Sequence, residues 1–400
     1  MDRHQSALAL VLADQPELPV HALRPHAATK AAEYFVRNFP GDVLYAVKAN
    51  PHPAIIDAVY AGGVRFFDVA SLNEIETVVA RCPDARLAFM HPVKSRLAIR
   101  KAYFDFGVRI FVLDSLDELD KIIKETNGAK DLHLVVRVAV SSDYAQHKLN
   151  GKFGVSGAEA VLLLRQARSA CEELGVSFHV GSQCMRPEAY RAAMEITSEL
   201  IRQAQVTIDI VDVGGGFPVA YPALTPPPLD SYIDAIAKAF EDMPVLQNAD
   251  LWCEPGRALC AEAGSHIVRV ELRKGDALYL NDGAYGALFD AAHDGLIYPT
   301  RLLRAKKGAR RVVKPFKLYG PTCDSIDTLK GPFLLPSDVH EGDYIEFGQT
   351  GAYGAALATR FNGFGEYVEA IVEDAPLMSV YGEVEQENVV ALTPAKAAKG

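Results

Sequence analysis

The sequence predicts an α/β protein in which a (β/α)₈ TIM barrel is followed by a mainly β second domain. Short β-rich runs alternate with helix-periodic runs eight times from residue 42 onward, which indicates parallel strands joined by helical crossovers. The first β-rich run ends in KANPH and lacks a glycine-rich turn, which favours a closed barrel over an open doubly wound sheet. After Ala263, strand-like runs are spaced by Gly and Pro with few helical patterns.

Eight stretches are predicted to form the barrel strands, because each is rich in β-branched or aromatic residues. They are VLYAVK (43–48), VRFFDV (64–69), RLAFM (86–90), VRIFVL (108–113), LHLVVRV (132–138), VSFHV (176–180), IDIVDV (208–213) and DLWCEP (250–255). Intervening stretches such as LNEIETVVARC and GAEAVLLLRQARSACEELG have helical patterns, and several end at Gly or Pro. We therefore assign residues 28–264 to the barrel domain.

The remaining residues, 1–27 and 265–400, are predicted to form the β domain. Its strand candidates are HIVRVEL, ALYLNDG, PFKLYG, YIEFG and VEAIVED, and the early PVHAL is predicted to pair into the same domain. HAATKAAEYFVRNF is predicted to be a helix. The carboxyl end, PLMSVYGEVEQENVVALTPAKAAKG, is expected to be a mobile tail without a catalytic motif.

Composition limits the partners and the compartment. The net charge of −10 argues against nucleic acid or an anionic membrane as a partner. No apolar run reaches membrane-spanning length, and SALALVL is too short for a signal peptide. The six cysteines are scattered, without a CxxC pair or metal-finger spacing. We therefore expect a cytoplasmic protein with reduced thiols and no metal site.

The candidate functional residues lie at the carboxyl ends of the predicted strands, where barrels of this kind carry their active sites. They are Lys48, Asp68, Arg137, His179, Ser182, Gly214–Gly216, Glu254 and Arg257. Singly, each has a structural explanation: a lysine can extend its amine to water, and three glycines can form a sharp turn. Together they suit a phosphorylated aldehyde cofactor. An amine binds the aldehyde, glycine N–H groups bind a phosphate, a carboxylate keeps a ring nitrogen protonated and an imidazole stacks on the ring.

Six motifs in order, YAVKAN, FHVGSQ, VGGGFP, EPGR, YGPTCDSID and GAYG, resemble the ornithine/diaminopimelate/arginine decarboxylase family. Its members are pyridoxal 5'-phosphate enzymes with an alanine-racemase-like barrel and a β domain. The resemblance implies that Lys48 forms the Schiff base, that His179 stacks on the ring and that Glu254 pairs with the pyridine nitrogen. The residues it implies as phosphate ligands are Ser182, Gly215, Gly216, Arg257 and Tyr353. Asp68, Arg137 and Gly256 complete the expected cofactor-binding set.

The resemblance also implies the substrate class and the assembly. Cys323 resembles a cysteine that reaches the neighbouring subunit's site and controls reprotonation, so a homodimer with shared sites is expected. Asp324 stands where diaminopimelate decarboxylases typically carry Glu, and it suits a distal ammonium. Asp290 resembles a second acid of ornithine decarboxylases, and Tyr285 completes the expected substrate-binding set. These residues predict decarboxylation of L-ornithine to putrescine, the first step of polyamine synthesis, with L-lysine as a second substrate.

Other activities stay open from the sequence. Within the family, the substrate could be meso-diaminopimelate, which Asp324 disfavours, or arginine, whose biosynthetic decarboxylases of this fold are usually much longer. A racemase would share Lys48 and the barrel but has no use for the GPTCD motif. A non-catalytic, antizyme-inhibitor-like binding protein would be expected to lose cofactor residues, whereas Lys48, Glu254 and Cys323 are present.

Overall fold

The computed structural model describes residues 1–141, 143–148, 151–222, 224–304 and 312–382. The chain divides into two compact units. The barrel unit comprises residues 28–218 and 226–259, and the β unit comprises residues 1–27, 219–225 and those from 260 onward. The first elements of the chain belong to the β unit, and they are strand β1 (Asp2–His4), helix α1 (Ala7–Asp14) and strand β2 (Val20–Leu23).

The barrel unit contains a closed barrel of eight parallel strands, which confirms the predicted fold. Around the barrel the strand order is β3-β4-β5-β6-β7-β9-β11-β12. These strands are β3 (Asp42–Ala46), β4 (Phe66–Val69), β5 (Arg86–Phe89), β6 (Ile110–Leu113), β7 (His133–Arg137), β9 (Glu173–Ser177), β11 (Ile210–Asp212) and β12 (Asp250–Cys253). Two further strands of this unit lie outside the barrel and pair antiparallel with each other. They are β8 (Ala145–His147) and β10 (Ser182–Cys184).

Helix α2 (Pro25–Asn38) precedes the first barrel strand, and further helices connect the strands. The connecting helices are α3 (Pro53–Ala61), α4 (Leu72–Arg81), α5 (Arg96–Phe104), α6 (Leu116–Glu125), α7 (Gly157–Arg168), α8 (Glu188–Ala204) and α9 (Leu229–Glu241). Three of them begin after a serine, Ser71, Ser95 or Ser115, whose hydroxyl accepts a hydrogen bond from the backbone N–H three residues on. Such caps satisfy N–H groups that the helix itself leaves free, so the serines determine where these helices begin.

The predicted boundaries are wrong in two regions that position the site, the end of β3 and the segment from α7 to β9. Strand β3 ends at Ala46, and Lys48 lies on a 3₁₀ turn formed by Val47–Ala49. Strand β9 lies at Glu173–Ser177, not at 176–180, and the helix predicted to run to residue 175 ends at Arg168. Gly175 explains the second error: a Cβ there would lie 3.0 Å from the Cβ of Ile210. The glycine that resembled a helix end is a close-packing position inside a strand.

The β unit is built around the long strand β13 (Gly264–Lys274), which pairs antiparallel with three other strands, β2 among them. The predicted pairing of PVHAL into the second domain is therefore confirmed. The other elements are the short helix α10 (Arg257–Cys260), which begins in the barrel unit, and β14 (Ala277–Leu280), α11 (Phe289–His293), β15 (Thr300–Leu303), β16 (Val313–Tyr319), β17 (Thr328–Pro336), β18 (Tyr344–Phe347) and β19 (Val368–Val372).

The prediction of a mobile carboxyl tail is wrong for its first residues. Leu377 is buried, and the Ser379 hydroxyl and the Val380 N–H donate to the Glu262 carboxylate at 2.6 and 2.7 Å. Residues 383–400 of that prediction lie outside the described residues. Among the helices that the structure describes, none combines the length and the apolar character needed to cross a bilayer.

Candidate active site

The first pair at the carboxyl ends of the barrel strands is Lys48 and Asp68. The Lys48 Nζ atom lies 2.6 Å from Asp68 Oδ2, and the Asp68 side chain is 1% exposed. The Lys48 side chain is 42% exposed, so its amine is half-exposed and held by a buried carboxylate. An aldehyde can therefore reach the nitrogen from outside.

His179 follows β9 and has a defined tautomer. Its Nδ1 atom accepts a hydrogen bond from the Gly181 N–H at 3.0 Å. Burial, and then the positive charges of Arg137 and Lys48, hold its pKa well below the usual value. The imidazole is therefore neutral at physiological pH and carries its proton on Nε2. A neutral ring can stack on a cationic ring without charge repulsion.

The triple glycine after β11 forms a backbone surface that no side chain could share. A Cβ at Gly214, whose φ is +67°, would lie 2.2 Å from the Phe178 carbonyl oxygen. A Cβ at Gly215 would lie 3.1 Å from His179 Nε2, and a Cβ at Gly216, whose φ is +102°, would lie 2.5 Å from the Gly181 carbonyl oxygen. Only glycine fits these positions, and it leaves the backbone open to close approach by an anion.

Two side chains supply a hydroxyl and a cation in the same unit. The Arg257 Nε atom donates to Ser182 Oγ at 3.2 Å, although Arg257 begins α10 and Ser182 begins β10. Arg257 is 5% exposed. A Cβ at Gly256, just before Arg257, would lie 2.9 Å from the Ala49 Cβ. The backbone before Arg257 therefore packs closely against the turn that carries Lys48. A guanidinium beside a hydroxyl suits recognition of a phosphate.

Glu254 is a buried carboxyl group beside an acid that the sequence analysis missed. Glu254 is 4% exposed and its Oε1 atom has no hydrogen-bond donor among the described residues. Burial, then the negative charges of Asp212 and Asp68, raise its pKa well above the usual value. Asp212, fully buried at the end of β11, also has a raised pKa, about 7, mainly because of burial. The signal in the sequence was an acid two residues before the triple glycine.

A second residue missed from the sequence is His91, which follows β5. Its Nδ1 atom accepts a hydrogen bond from the Val93 N–H at 3.1 Å, and its ring contacts Phe153 edge to face at 5.3 Å between centroids. Burial, and then the charge of Lys94, lower its pKa. No functional residue was predicted at the ends of the third and fourth strands, although the MHPVK sequence places a histidine after the third strand.

The predicted substrate residues lie in the β unit. The Tyr285 hydroxyl donates to Asp324 Oδ2 at 2.6 Å, and the Ile326 N–H donates to Oδ1 at 3.1 Å. The first of these bonds, then the second, lowers the pKa of Asp324. Cys323 is exposed, and its backbone N–H donates to Asn362 Oδ1 at 3.1 Å. The geometry thus brings Tyr285 and Asp324 together and keeps the carboxylate ionised.

Asp290 and Tyr353 are the remaining predicted residues of the β unit. Asp290 is 5% exposed and lies in the first turn of α11. Tyr353 has a φ of +57°, a left-handed conformation that is uncommon for a residue with a side chain and is frequent at functional sites.

A family model described as the pyridoxal-binding domain of pyridoxal-dependent decarboxylases matches residues 26–261, more than half of the chain. The barrel unit offers what this cofactor requires. Lys48 presents a reachable amine for the aldehyde, and the glycine surface with Ser182 and Arg257 suits the phosphate. Glu254 Oε1, buried without a donor from the described residues, suits a protonated ring nitrogen.

Comparison with individual proteins agrees with the family model. The chain is 34% identical to a lysine/ornithine decarboxylase of Selenomonas ruminantium over 354 residues, which is 86% of this chain and 87% of that protein. It is 30% identical to antizyme inhibitor 2 of Xenopus laevis over 356 residues, covering 80% and 73% respectively. The structure of the Paramecium bursaria Chlorella virus arginine decarboxylase bound to agmatine matches with a TM-score of 0.79 at 28% identity, covering 91% of this chain and 98% of that one. The chain therefore belongs to the pyridoxal-dependent decarboxylases of the ornithine, lysine and arginine type, and its cofactor is pyridoxal 5'-phosphate.

Proposed function

We propose that this protein is a carboxy-lyase that converts L-ornithine to putrescine, and L-lysine to cadaverine as a second reaction. The observation that carries the proposal is the Asp324 carboxylate, which Tyr285 and the Ile326 N–H keep ionised. An ionised carboxylate binds a distal ammonium and repels a distal carboxylate. Ornithine and lysine both end in an ammonium, whereas meso-diaminopimelate also carries a carboxylate at that end.

Each residue of the site has a proposed task. When bound, pyridoxal phosphate supplies an electron-accepting ring, which stabilises the negative charge left on Cα as the carboxylate departs. Lys48 binds the aldehyde, Glu254 keeps a proton on the ring nitrogen and the neutral imidazole of His179 lies against the ring. Cys323 holds at Sγ the proton that Cα needs after carbon dioxide leaves.

The phosphate is proposed to bind at the Gly215 and Gly216 backbone with Ser182, Arg257 and Tyr353. In this proposal Asp68 orients the Lys48 amine, a role that their 2.6 Å contact supports. Arg137 and Gly256 line the same end of the barrel, and Asp290 assists Asp324 at the ammonium end of the substrate.

The non-catalytic alternative remains relevant because an antizyme inhibitor is among the relatives. Three residues that catalysis would need argue against a non-catalytic protein. They are Lys48, proposed to bind the aldehyde, Glu254, proposed to hold the ring nitrogen protonated, and Cys323, proposed to supply the proton to Cα. Arginine ends in a guanidinium, which Asp324 could also bind, so arginine has to be tested directly. The cytoplasmic location stays a prediction.

A substrate panel tests the proposal. The specificity constant of the purified, cofactor-loaded protein is measured for L-ornithine, L-lysine, L-arginine and meso-diaminopimelate. We expect ornithine to lead, with lysine lower by about tenfold to a hundredfold, because a single methylene separates them. Asp324→Asn should raise KM for both diamino acids, and Asp276→Asn, which removes a surface carboxylate paired with Lys314 in the same unit, should not. Arginine or meso-diaminopimelate as the best substrate would refute the proposed specificity.

We further propose a homodimer in which Cys323 and Asp324 complete the partner's site. Lys48→Ala and Cys323→Ala are each expected to be inactive. If the sites are shared and subunits exchange randomly, half the dimers are mixed and each has one intact site of two, so an equal mixture regains roughly a quarter of wild-type activity. No recovery, with exchange verified by mass spectrometry of tagged subunits, would place each site within one chain.

A further inference from the structure

The Asp212 side chain and the Glu254 backbone both bond to Gly214 at the carboxyl ends of neighbouring strands. The Gly214 N–H donates to Asp212 Oδ1 at 2.8 Å, and the Gly214 carbonyl oxygen accepts from the Glu254 N–H, also at 2.8 Å. β11 and β12 pair in parallel, with Asp212 opposite Trp252. Gly214 therefore holds the Asp212 carboxyl group beside the backbone from which the Glu254 side chain extends.

The two carboxyl groups lie within hydrogen-bonding reach of each other. Two ionised carboxylates both only accept, so a hydrogen bond between them requires a proton on one of them. Asp212 Oδ2 and Glu254 Oε1 are buried, and neither has a donor among the described residues. Two buried charges in this arrangement would be strongly destabilising, and one proton shared between them removes most of that cost.

The charges around the pair also indicate one shared proton. Asp68, Lys48 and Arg137 are the other charged groups that act on Glu254, and the neighbouring Cys253 has a raised pKa, mainly through burial. These three carboxylates and two cations sum to one negative charge, and one proton on the pair brings that sum to zero. Glu74, which interacts with Asp68 and Lys48, has a raised pKa, mainly because of burial. His179 is neutral and adds nothing to this sum.

We propose that Asp212 is a positioning residue that shares one proton with Glu254 and thereby holds the Glu254 carboxyl group, with its unpaired oxygen available to the cofactor's ring nitrogen. The inference deepens the proposed function and rests on the role given there to Glu254. The Gly214 N–H stabilises negative charge on Asp212, so before the cofactor binds the proton lies on Glu254 and is donated to Asp212.

The test follows the shared proton in the full-length protein by infrared spectroscopy of protonated carboxyl groups, with and without pyridoxal phosphate. The cofactor-free wild type should show a protonated carboxyl that loses its proton only well above the usual pH range of a glutamic acid. Asp212→Asn keeps an acceptor for Gly214 but removes the charge, so the titration should move to lower pH. Asp209→Asn is the matched control, because Asp209 accepts the Leu174 N–H at 2.8 Å just before the other end of β11; it should leave the titration unchanged.

A second readout separates positioning from a purely structural role. Asp212→Ala should lower kcat roughly tenfold to a hundredfold, the effect of losing a hydrogen bond to a charged group. Asp212→Asn, which can still donate to Glu254, should retain most of kcat but alter the pH dependence of the bound cofactor's absorbance. An identical carboxyl titration in wild type and Asp212→Asn would overturn the proposal.

Two further outcomes are distinguishable. If Asp212→Asn does not fold, Glu254→Gln provides the reciprocal test, because it should abolish this raised carboxyl titration; persistence of the titration would overturn the shared proton. If Glu254→Gln leaves both turnover and the cofactor's absorbance unchanged, the role of Glu254 in the proposed function fails, and the inference that depends on it fails as well.

Discussion

Two clusters of buried charge, one in each unit, solve the same physical problem differently. In the β unit, Arg24 is 1% exposed and its guanidinium binds Glu346 at 2.8 Å, Asp374 at 2.8 Å and the Ser265 hydroxyl at 2.7 Å. Arg301 binds the same two acids at 2.6 and 3.0 Å. Two cations and two anions are thus matched one to one.

The cluster of the barrel unit, Asp68, Asp212 and Glu254, is not matched in this way. Each of these carboxyl groups has one buried oxygen without a donor among the described residues. The pKa values reflect the difference. For Glu346, burial alone would raise the pKa, but Arg24 and Arg301 outweigh it and the pKa is lowered. For Glu254, burial and neighbouring acids raise it.

The charged cluster of the β unit stabilises the fold, whereas the cluster of the barrel unit leaves acceptor atoms for a ligand. A closed network has no unpaired polar atoms for a ligand, and breaking it lowers the free energy of unfolding. An open cluster costs stability and keeps free acceptors, as sites that bind cofactors do.

The largest expected effect is on the lysine of the open cluster. Lys48→Ala should lower turnover by at least about a thousandfold, because it removes the amine proposed to bind the aldehyde. Borohydride treatment of the cofactor-loaded wild type, followed by peptide mass spectrometry, should place the label on Lys48.

Lys94 provides the matched control for the labelling, since it lies beyond β5 in the same unit but its side chain is 0% exposed. Lys94→Met should leave the label on Lys48. Label recovered from any other lysine would end the proposed role of Lys48.

Glu254→Gln should lower turnover by about a hundredfold or more, because a neutral amide no longer holds the ring nitrogen protonated. The thermal midpoint of the cofactor-free protein should stay the same or rise, since the change removes an unsatisfied buried acid. Steady-state kinetics and calorimetry measure the two quantities. A large loss of stability would show that Glu254 stabilises the fold, as Glu346 is expected to do.

Glu346→Gln should have the opposite profile. It breaks a closed network and leaves Arg24 and Arg301 without one of their partners, so unfolding should become easier by roughly 3–5 kcal/mol. Denaturant unfolding of the full chain measures this. Turnover per folded molecule should change little, and a specific loss of turnover with unchanged stability would contradict the distinction.

The smallest effect concerns buried Lys94, whose amine lies 3.0 Å from Glu118, a carboxylate that also pairs with Lys121. Burial lowers the pKa of Lys94 from 10.5 to about 8, although Glu118 opposes this. Between these values the unfolded chain binds more protons than the folded one, so the contribution of Lys94 to the free energy of unfolding increases as the pH rises. Wild type should therefore gain about 1–2 kcal/mol relative to Lys94→Met between about pH 7 and 9. A pH-independent difference would show that the amine is not perturbed.

The sequence by itself determined the barrel, the β unit and most of the residues at the strand ends. Alternation of β-rich and helical runs is a local pattern, and a parallel barrel places the ends of its strands at one rim. Lys48, His179, Glu254 and the triple glycine could therefore be placed at that rim before any distance was known.

Only the tertiary structure decided the features that depend on separate strands. The pairing of Asp212 with Glu254 requires two neighbouring strands in register and the backbone of Gly214, which bonds to the Asp212 carboxyl group and to the Glu254 N–H. The exposure of Lys48 depends on the 3₁₀ turn after β3, and β9 begins early because Gly175 packs against Ile210. Burial, and the pKa shifts that follow from it, are set by atoms distant in the sequence, so no local pattern contains them.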